Sequence, residues 1–339
     1  MPALSTFVTT TTQTRLLPKV IDQVLNGNVL TMRLLRQAVP WVTGTQINIA
    51  VNLSDITAVG SYFGFDALST TQENIRQRAV FNPSQYYASI PISGIQTAIN
   101  QGSAAVINLV ATEIDWRAKR LRDAMGDGVY SDGTGNAGKD ILGIRAAIDD
   151  TTLVATYGGL NKTTYPRWNS TVTAQVGGLS LANLAADFDA AQRGDDAPTI
   201  MITTPAVFSI YEALLTPTVS HQFSMNDFRL VENTGGVGSS IVRVGGTVAA
   251  NQGFRALTFR GIPFVSDEKC TAQEIYTINE RHLKFYTINR PGQSIKNGFS
   301  WTGFKEAINQ DATVAQLLWA GQLICDSPRT MARRTTVAA

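Results

Sequence analysis

Tyr86-Tyr87-Ala88-Ser89-Ile90-Pro91-Ile92 reads as a strand, because aromatic and β-branched side chains suit a pleated surface. The segment after this strand decides the fold. From about Ala98 to Met125 no proline interrupts, and the apolar period changes from two to the helical one. Ile107, Val110, Ile114, Ala118, Leu121 and Met125 succeed each other at steps of three or four and so share one face. Glu113 precedes Arg117 by four residues, the favoured orientation for an ion pair on a helix surface. About 27 residues at ~1.5 Å each make a rod of roughly 40 Å, long for a soluble domain. Gly126 and Gly128 predict its C-terminal stop, and a glycine-rich break runs on to Asp140.

Upstream of this stretch, residues 1–43 form an arm with too little apolar surface to fold alone. A threonine tract (Thr9–Thr12) leads to Pro18, then Val20, Ile21, Val24 and Leu25 at helical spacing. After Asn26-Gly27-Asn28, Val29 to Leu35 resumes the pattern, so this segment is expected to dock on its own body or on a neighbour. From Thr45 the period is two: Ile47, Ile49, Val51 and Leu53 alternate with Gln46, Asn48, Ala50 and Asn52. The return strand is expected near Gln85–Ile92, which makes residues 44–93 one long hairpin. An isolated hairpin is marginal in water. The aromatic side chains of this one (Tyr62, Phe63, Phe65, Phe81, Tyr86, Tyr87) therefore require a partner to lie on.

Downstream, residues 143–285 mix helix and strand. Leu181–Gln192 is a helix pattern with Ser180 as its cap, Thr199–Thr203 a short buried strand, and Pro205 opens a helix over Ala206–Leu215. Arg255–Val265 and Glu274–Ile278 read as strands, and so do Lys284–Ile288 and Ala312–Ile324 further on.

The 339 residues suffice for two cores of ordinary size. Only 16% are charged, against ~25% in typical soluble domains. Two readings stand side by side: much of the surface is covered by partners, or the protein is β-rich with a neutral polar surface. A net charge of +2 provides no global field for nucleic acid. Cys270 and Cys325 are too few for a disulfide framework and are expected as buried thiols. The N-terminus lacks a secretory pattern, and no apolar run of about 18 residues is present, so no membrane partner is expected.

Chemistry finds little support. Gly133-Thr134-Gly135-Asn136-Ala137-Gly138-Lys139-Asp140 satisfies the spacing of a dinucleotide fingerprint and most of a phosphate loop. Both motifs need a strand before and a helix after, so that amides at a helix N-terminus face phosphate. Here the long helix comes first, and Asp140 stands where a magnesium-holding Ser or Thr belongs. Asp127, Asp132 and Asp140 lack the alternation of a calcium loop. His221 and His282 are the only histidines, which excludes a three-histidine metal site within one chain. A Cys270–His282 pair has nothing to activate it. Asp149-Asp150 and Asp195-Asp196 read as solvated turn residues. Arg329, Arg333 and Arg334 read as a solvated terminus, with packaged DNA or a neighbour's carboxylates as the alternative. No cofactor, metal or catalytic residue is expected.

The order of elements, together with the run Tyr86–Ile148 containing Gly128-Val129-Tyr130-Ser131-Asp132-Gly133-Thr134-Gly135-Asn136 and Ile141-Leu142-Gly143-Ile144, resembles the major capsid proteins of tailed bacteriophages, which share the Hong Kong 97 fold. The resemblance implies an α+β chain: an N-terminal arm (1–43), an extended loop (44–93), a discontinuous peripheral domain with a spine helix (94–142 and 286–339) and an axial domain (143–285). It implies a non-enzymatic shell protein that self-assembles into pentamers and hexamers around double-stranded DNA, in a virion assembled in the host cytoplasm. Portal and decoration proteins are possible partners, and DNA is contacted non-specifically at most. Arg76, Arg78, Phe63, Phe65 and Phe81 are the candidate intersubunit contacts. Some members of the family weld subunits by an isopeptide bond from a loop lysine, but no lysine lies between Lys19 and Lys119. No long charged helical segment precedes the arm, so a separate scaffold or scaffold-free assembly is expected. The alternatives are an encapsulin-type nanocompartment shell and a nucleotide-binding enzyme using the Gly133–Lys139 loop.

Overall fold

The computed structural model describes residues 28–41, 44–95, 103–222, 256–290, 294–308 and 310–337, with side chains left out at 103–112, 216–222, 256 and 294–295. The expected helix around Val20, His221's side chain and residues 223–255 lie outside these limits.

The long helix runs over Ser103–Val129, 27 residues. Its expected apolar face holds where side chains are described: Ile114, Ala118, Leu121 and Met125 are buried, and Val129 extends the row by one turn. Glu113 and Arg117 pair at 3.6 Å. The expected stop at Gly126 and Gly128 is corrected, since both lie inside the helix. A β-carbon on Gly126 would come within 2.1 Å of Asn28 Nδ2, and one on Gly128 within 2.5 Å of Tyr86 Oη. The glycines bring the helix against its neighbours instead of ending it.

The other half of that contact is Ser84–Ser93, ten residues long. Its partner is not the strand at residue 47. It pairs antiparallel, residue for residue, with the first ten positions of a 14-residue strand, Ala312–Cys325, from Ser93↔Ala312 to Ser84↔Gly321. The expected 44–93 hairpin is thereby corrected: Ile47–Asn52 pairs with Arg76–Phe81, and the chain turns away at Asn82-Pro83. Gln322 fixes that corner by donating from Nε2 to Asn82 O at 2.8 Å. The long strand also pairs with Leu283–Thr287, Phe299–Trp301 and Lys305–Glu306; Val39–Pro40 and Ser294–Lys296 complete a seven-stranded sheet among the described residues.

A second sheet of six strands runs Thr171–Ala174, Ala332–Thr335, Ile275–Ile278, Ile200–Thr203, Ile262–Ser266, Ala256–Phe259. Its central strands are buried throughout because both faces are covered. Ile200, Ile202, Val265 and Tyr276 face a core shared with the first sheet and the long helix. Met201, Phe264 and Ile275 face the helices Leu181–Ala191 and Pro205–Gln222. Ser180 caps the former as expected, accepting from Asn183 N at 3.2 Å.

The arm's helix, Val29–Arg36, docks on its own chain. Leu30 N donates to Asp267 Oδ2 at 3.3 Å, and Arg33 forks onto Glu280 at 2.6 and 2.5 Å.

Candidate intersubunit surface

The hairpin 47–81 has two ends with opposite environments. At its base the expected alternation holds: Val51 and Leu53 are buried, Ile47 and Ile49 half-buried, and Asn48, Ala50 and Asn52 exposed. Opposite them Ala79 and Phe81 are buried against the body. Val80 N donates to Gly158 O at 2.8 Å, and the Phe81 ring meets Tyr157 edge-on with centroids 5.2 Å apart. Phe81 is 1% exposed. It is removed from the candidate contacts, because its ring is part of this chain's own core.

The tip behaves otherwise. Between Ser54 and Asn74 the chain has no regular structure, and Ile56, Val59, Tyr62, Phe63, Phe65 and Leu68 all stand exposed, Phe63 at 89%. Local polar contacts shape the segment. Thr57 N donates to Glu73 Oε2 at 2.8 Å, and the Thr57 hydroxyl and amide hold the Glu73 carboxyl below its ordinary range. Phe63 N donates to Asp66 Oδ2 at 2.9 Å, closing a turn. Arg167 pairs with Asp55 and ties the root of the tip to the body. Arg76 and Arg78 are exposed, and neither forms an ion pair among the described residues. The two share the polar face of their strand, opposite Asn52 and Ala50. The structure thus brings four of the five candidates, Phe63, Phe65, Arg76 and Arg78, onto one projecting element.

The Gly133–Lys139 loop comes after the end of the long helix. Its turn needs left-handed backbone at Gly133, Asn136, Ala137 and Gly138. Asp132 Oδ1 accepts from Thr134 N at 3.0 Å, which holds the Asp132 carboxyl below its ordinary range. The Asp140 carboxylate lies where a β-carbon of Gly135 would be. A carboxylate packed into the loop is the wrong chemistry for phosphate. Cys270 and Cys325 are free and buried, and burial pushes both thiols up. His282 does not meet Cys270; its Nδ1 lies 2.7 Å from Asp326 Oδ1 and its Nε2 3.2 Å from Asp196 Oδ2.

Three charged positions expected in solvent are buried instead: Asp149, Arg333 and Arg334. Asp149 accepts from the amides of Thr151, Leu153 and Val154. Arg333 Nη2 donates to Asp149 Oδ1 at 3.1 Å, and Lys162 Nζ sits 3.8 Å from its Oδ2. Burial lowers the Lys162 ammonium to about 8, against the pull of Asp149. Arg334 forks onto Asp187 at 2.6 and 2.7 Å and adds Gln175 Oε1 at 2.7 Å. Burial pushes the Asp187 carboxyl up, while Arg334 pulls it back. Arg333 and Arg334 therefore fail both as a solvated terminus and as DNA contacts. The one signal in the sequence is their alternation: neighbours in a strand face opposite sides, so each needs its own carboxylate.

No family model and no curated protein matches the sequence. Solved structures do match. The chain is similar to the capsid protein of cyanophage A-1(L), with 18% identity, a TM-score of 0.62, and 92% of this chain and 94% of that one covered. It is similar to the capsid of a native GTA particle at 13% identity, a TM-score of 0.53 and 90% of each chain. It is also similar to the SrpI encapsulin of Synechococcus elongatus PCC 7942, at 10% identity, a TM-score of 0.53, 88% of this chain and 83% of that one. These neighbours are structural shell proteins. The chain has the α+β Hong Kong 97 capsid fold.

Proposed function

We propose that this chain is the major capsid protein of a tailed double-stranded DNA phage, a non-enzymatic subunit that assembles with its own copies into pentamers and hexamers of an icosahedral shell. The observation that carries this reading is the exposed apolar tip on an element otherwise anchored to the body. Covering a large apolar side chain contributes roughly 1.5 kcal/mol or more. Six of them on one segment make a lone molecule the less favourable state. A neighbouring copy is the partner that a repeated shell supplies, and a closed shell repeats the contact at every subunit.

On this reading residues 1–43 are the arm, 44–93 the extended loop, 94–142 and 286–339 the peripheral domain and 143–285 the axial domain, with two amendments. The strand Ser84–Ser93 leaves the loop for the seven-stranded sheet, where it pairs with Ala312–Gly321. The strand Ala332–Thr335 goes with the axial sheet, where it pairs with Ile275–Thr277 and Thr171–Ala174. Exposed Phe63, Phe65, Arg76 and Arg78 are the contact residues. Cohesion is non-covalent, since the loop carries no lysine. Portal and decoration proteins are the further partners this reading expects, and the protein resides in the virion after assembly in the host cytoplasm.

Negative-stain electron microscopy of the purified protein tests the assembly, and closed shells of uniform diameter are expected. A folded, monodisperse monomer at high concentration would overturn it. The encapsulin neighbour makes a cargo compartment the second reading. Nuclease-protected DNA in particles from infected cells separates the two, and a protein cargo in its place would favour the compartment. Calorimetric titration with ATP and with NAD should give no heat of binding; a saturable signal would restore the enzyme reading.

A further inference from the structure

The chain passes from the six-stranded sheet to the seven-stranded one at 279–282, and returns at 326–331. The two passages lie side by side, because Ile275–Thr277 pairs with Ala332–Arg334 at one end and Leu283 with Cys325 at the other. Asp326 N donates to His282 O at 3.0 Å between them. A pair of adjacent non-strand connections joining two sheets has the form of a hinge.

His282 sits at its centre. Nδ1 reaches Asp326 on the opposite passage at 2.7 Å. Nε2 reaches Asp196 at 3.2 Å, in the turn that links the helix Leu181–Ala191 to the strand Ile200–Thr203. That turn is closed on itself by reciprocal bonds between Arg193 and Asp196 at 2.9 and 3.0 Å. A carboxylate only accepts, so both contacts are hydrogen bonds only when both ring nitrogens carry protons. The neutral ring has one N–H. It keeps the shorter bond and turns a lone pair towards the other carboxylate.

We infer that His282 is a proton-controlled clamp: charged, it fastens both passages to the Arg193–Asp196 turn, and neutral, it holds Asp326 and lets the turn go. The surrounding charges leave this role to the imidazole. Arg281 Nη1 stands 3.7 Å from Asp196 Oδ1 but is largely exposed, and such a pair holds weakly. Glu280 is committed to Arg33 of the arm helix and to Thr199. Cys325 and Tyr286 feel the charge of Asp326, and burial keeps both protonated. The Asp326 hydrogen bond raises His282 above its ordinary 6.5 against the effect of burial. Because the folded-state value is raised, the stabilisation is complete below about pH 6.5 and disappears as pH climbs through the raised value.

The clamp belongs to the single chain, so its test does not depend on the shell. Hydrogen exchange of the full-length protein, corrected for the intrinsic rate, is followed across about pH 5 to 9. The Arg193 and Asp196 amides should speed up by about tenfold through a single titration, while the Asp326 amide changes little. His282→Asn should abolish the titration, and Asp196→Asn, which leaves the Asp326 bond in place, should move the His282 midpoint down. A flat profile in the wild-type protein overturns the inference, and so does a titration that survives His282→Asn.

Discussion

The tip of the 47–81 hairpin and the last strand of the chain reverse the ordinary placement of side chains. At the tip, Phe63, Phe65 and Leu68 stand in solvent. At the end of the chain, Arg333 and Arg334 are 2% and 4% exposed. Burial here depends on the availability of a partner more than on the polarity of the residue. Arg334 has a forked carboxylate within its own chain, whereas the tip aromatics stay exposed among the described residues. The terminal region buries its charges within the chain, and the tip leaves its apolar side chains uncovered.

The largest effect should come from breaking the complete end. Arg334→Ala strands Asp187 as an unpaired buried carboxylate and should cost about 3–5 kcal/mol, read as a fall in the urea midpoint. Arg334→Lys should recover only part, because an ammonium cannot form the fork. A cost near zero for the alanine variant would mean that the pair is hydrated and the contrast with the tip false. The hairpin supplies its own internal control. Phe81→Ala empties a site walled by Tyr157 and should cost about 3 kcal/mol. Phe65→Ser, on the same element, should change stability by less than about 0.5 kcal/mol. The tip variant should instead lower the yield of closed particles by electron microscopy. Equal losses of stability in the two variants would refute the division into base and tip.

The legible part of the sequence was whatever repeats locally. The row Ile114, Ala118, Leu121, Met125 and the alternation at Val51 and Leu53 predict faces that the structure buries. The cap at Ser180 and the strand after residue 312 were legible for the same reason. Pairing between distant segments was not. Ser84–Ser93 lies close in sequence to Ile47–Asn52, yet its partner starts more than 200 residues on, and a period of two does not name a partner. Gly126 and Gly128 read locally as a stop, whereas their use is set by Asn28 and Tyr86. Asp149, Lys162 and Arg333 likewise carry no mark until the fold assembles them. At the candidate surface, Phe63 and Phe65 were legible as aromatic residues without a local period, and Phe81 failed because its alternation belongs to the buried base.

The smallest effect should sharpen the comparison most. Arg76 and Arg78 are, like Arg334, strand arginines, but they stand exposed on the polar face with no ion-pair partner among the described residues. If a neighbouring copy supplies carboxylates there, the pairs lie at a rim, where each contributes less than about 1 kcal/mol and salt screens it. Arg78→Ala should therefore leave the urea midpoint unchanged. It should shift the protein concentration needed for particle formation by less than about fivefold at low salt, and by nothing measurable near 1 M salt. A shift that persists at high salt would mean that the guanidinium is buried at the contact, paired as Arg334 is within the chain. The difference between the two ends of the molecule would then be only which copy holds the carboxylate.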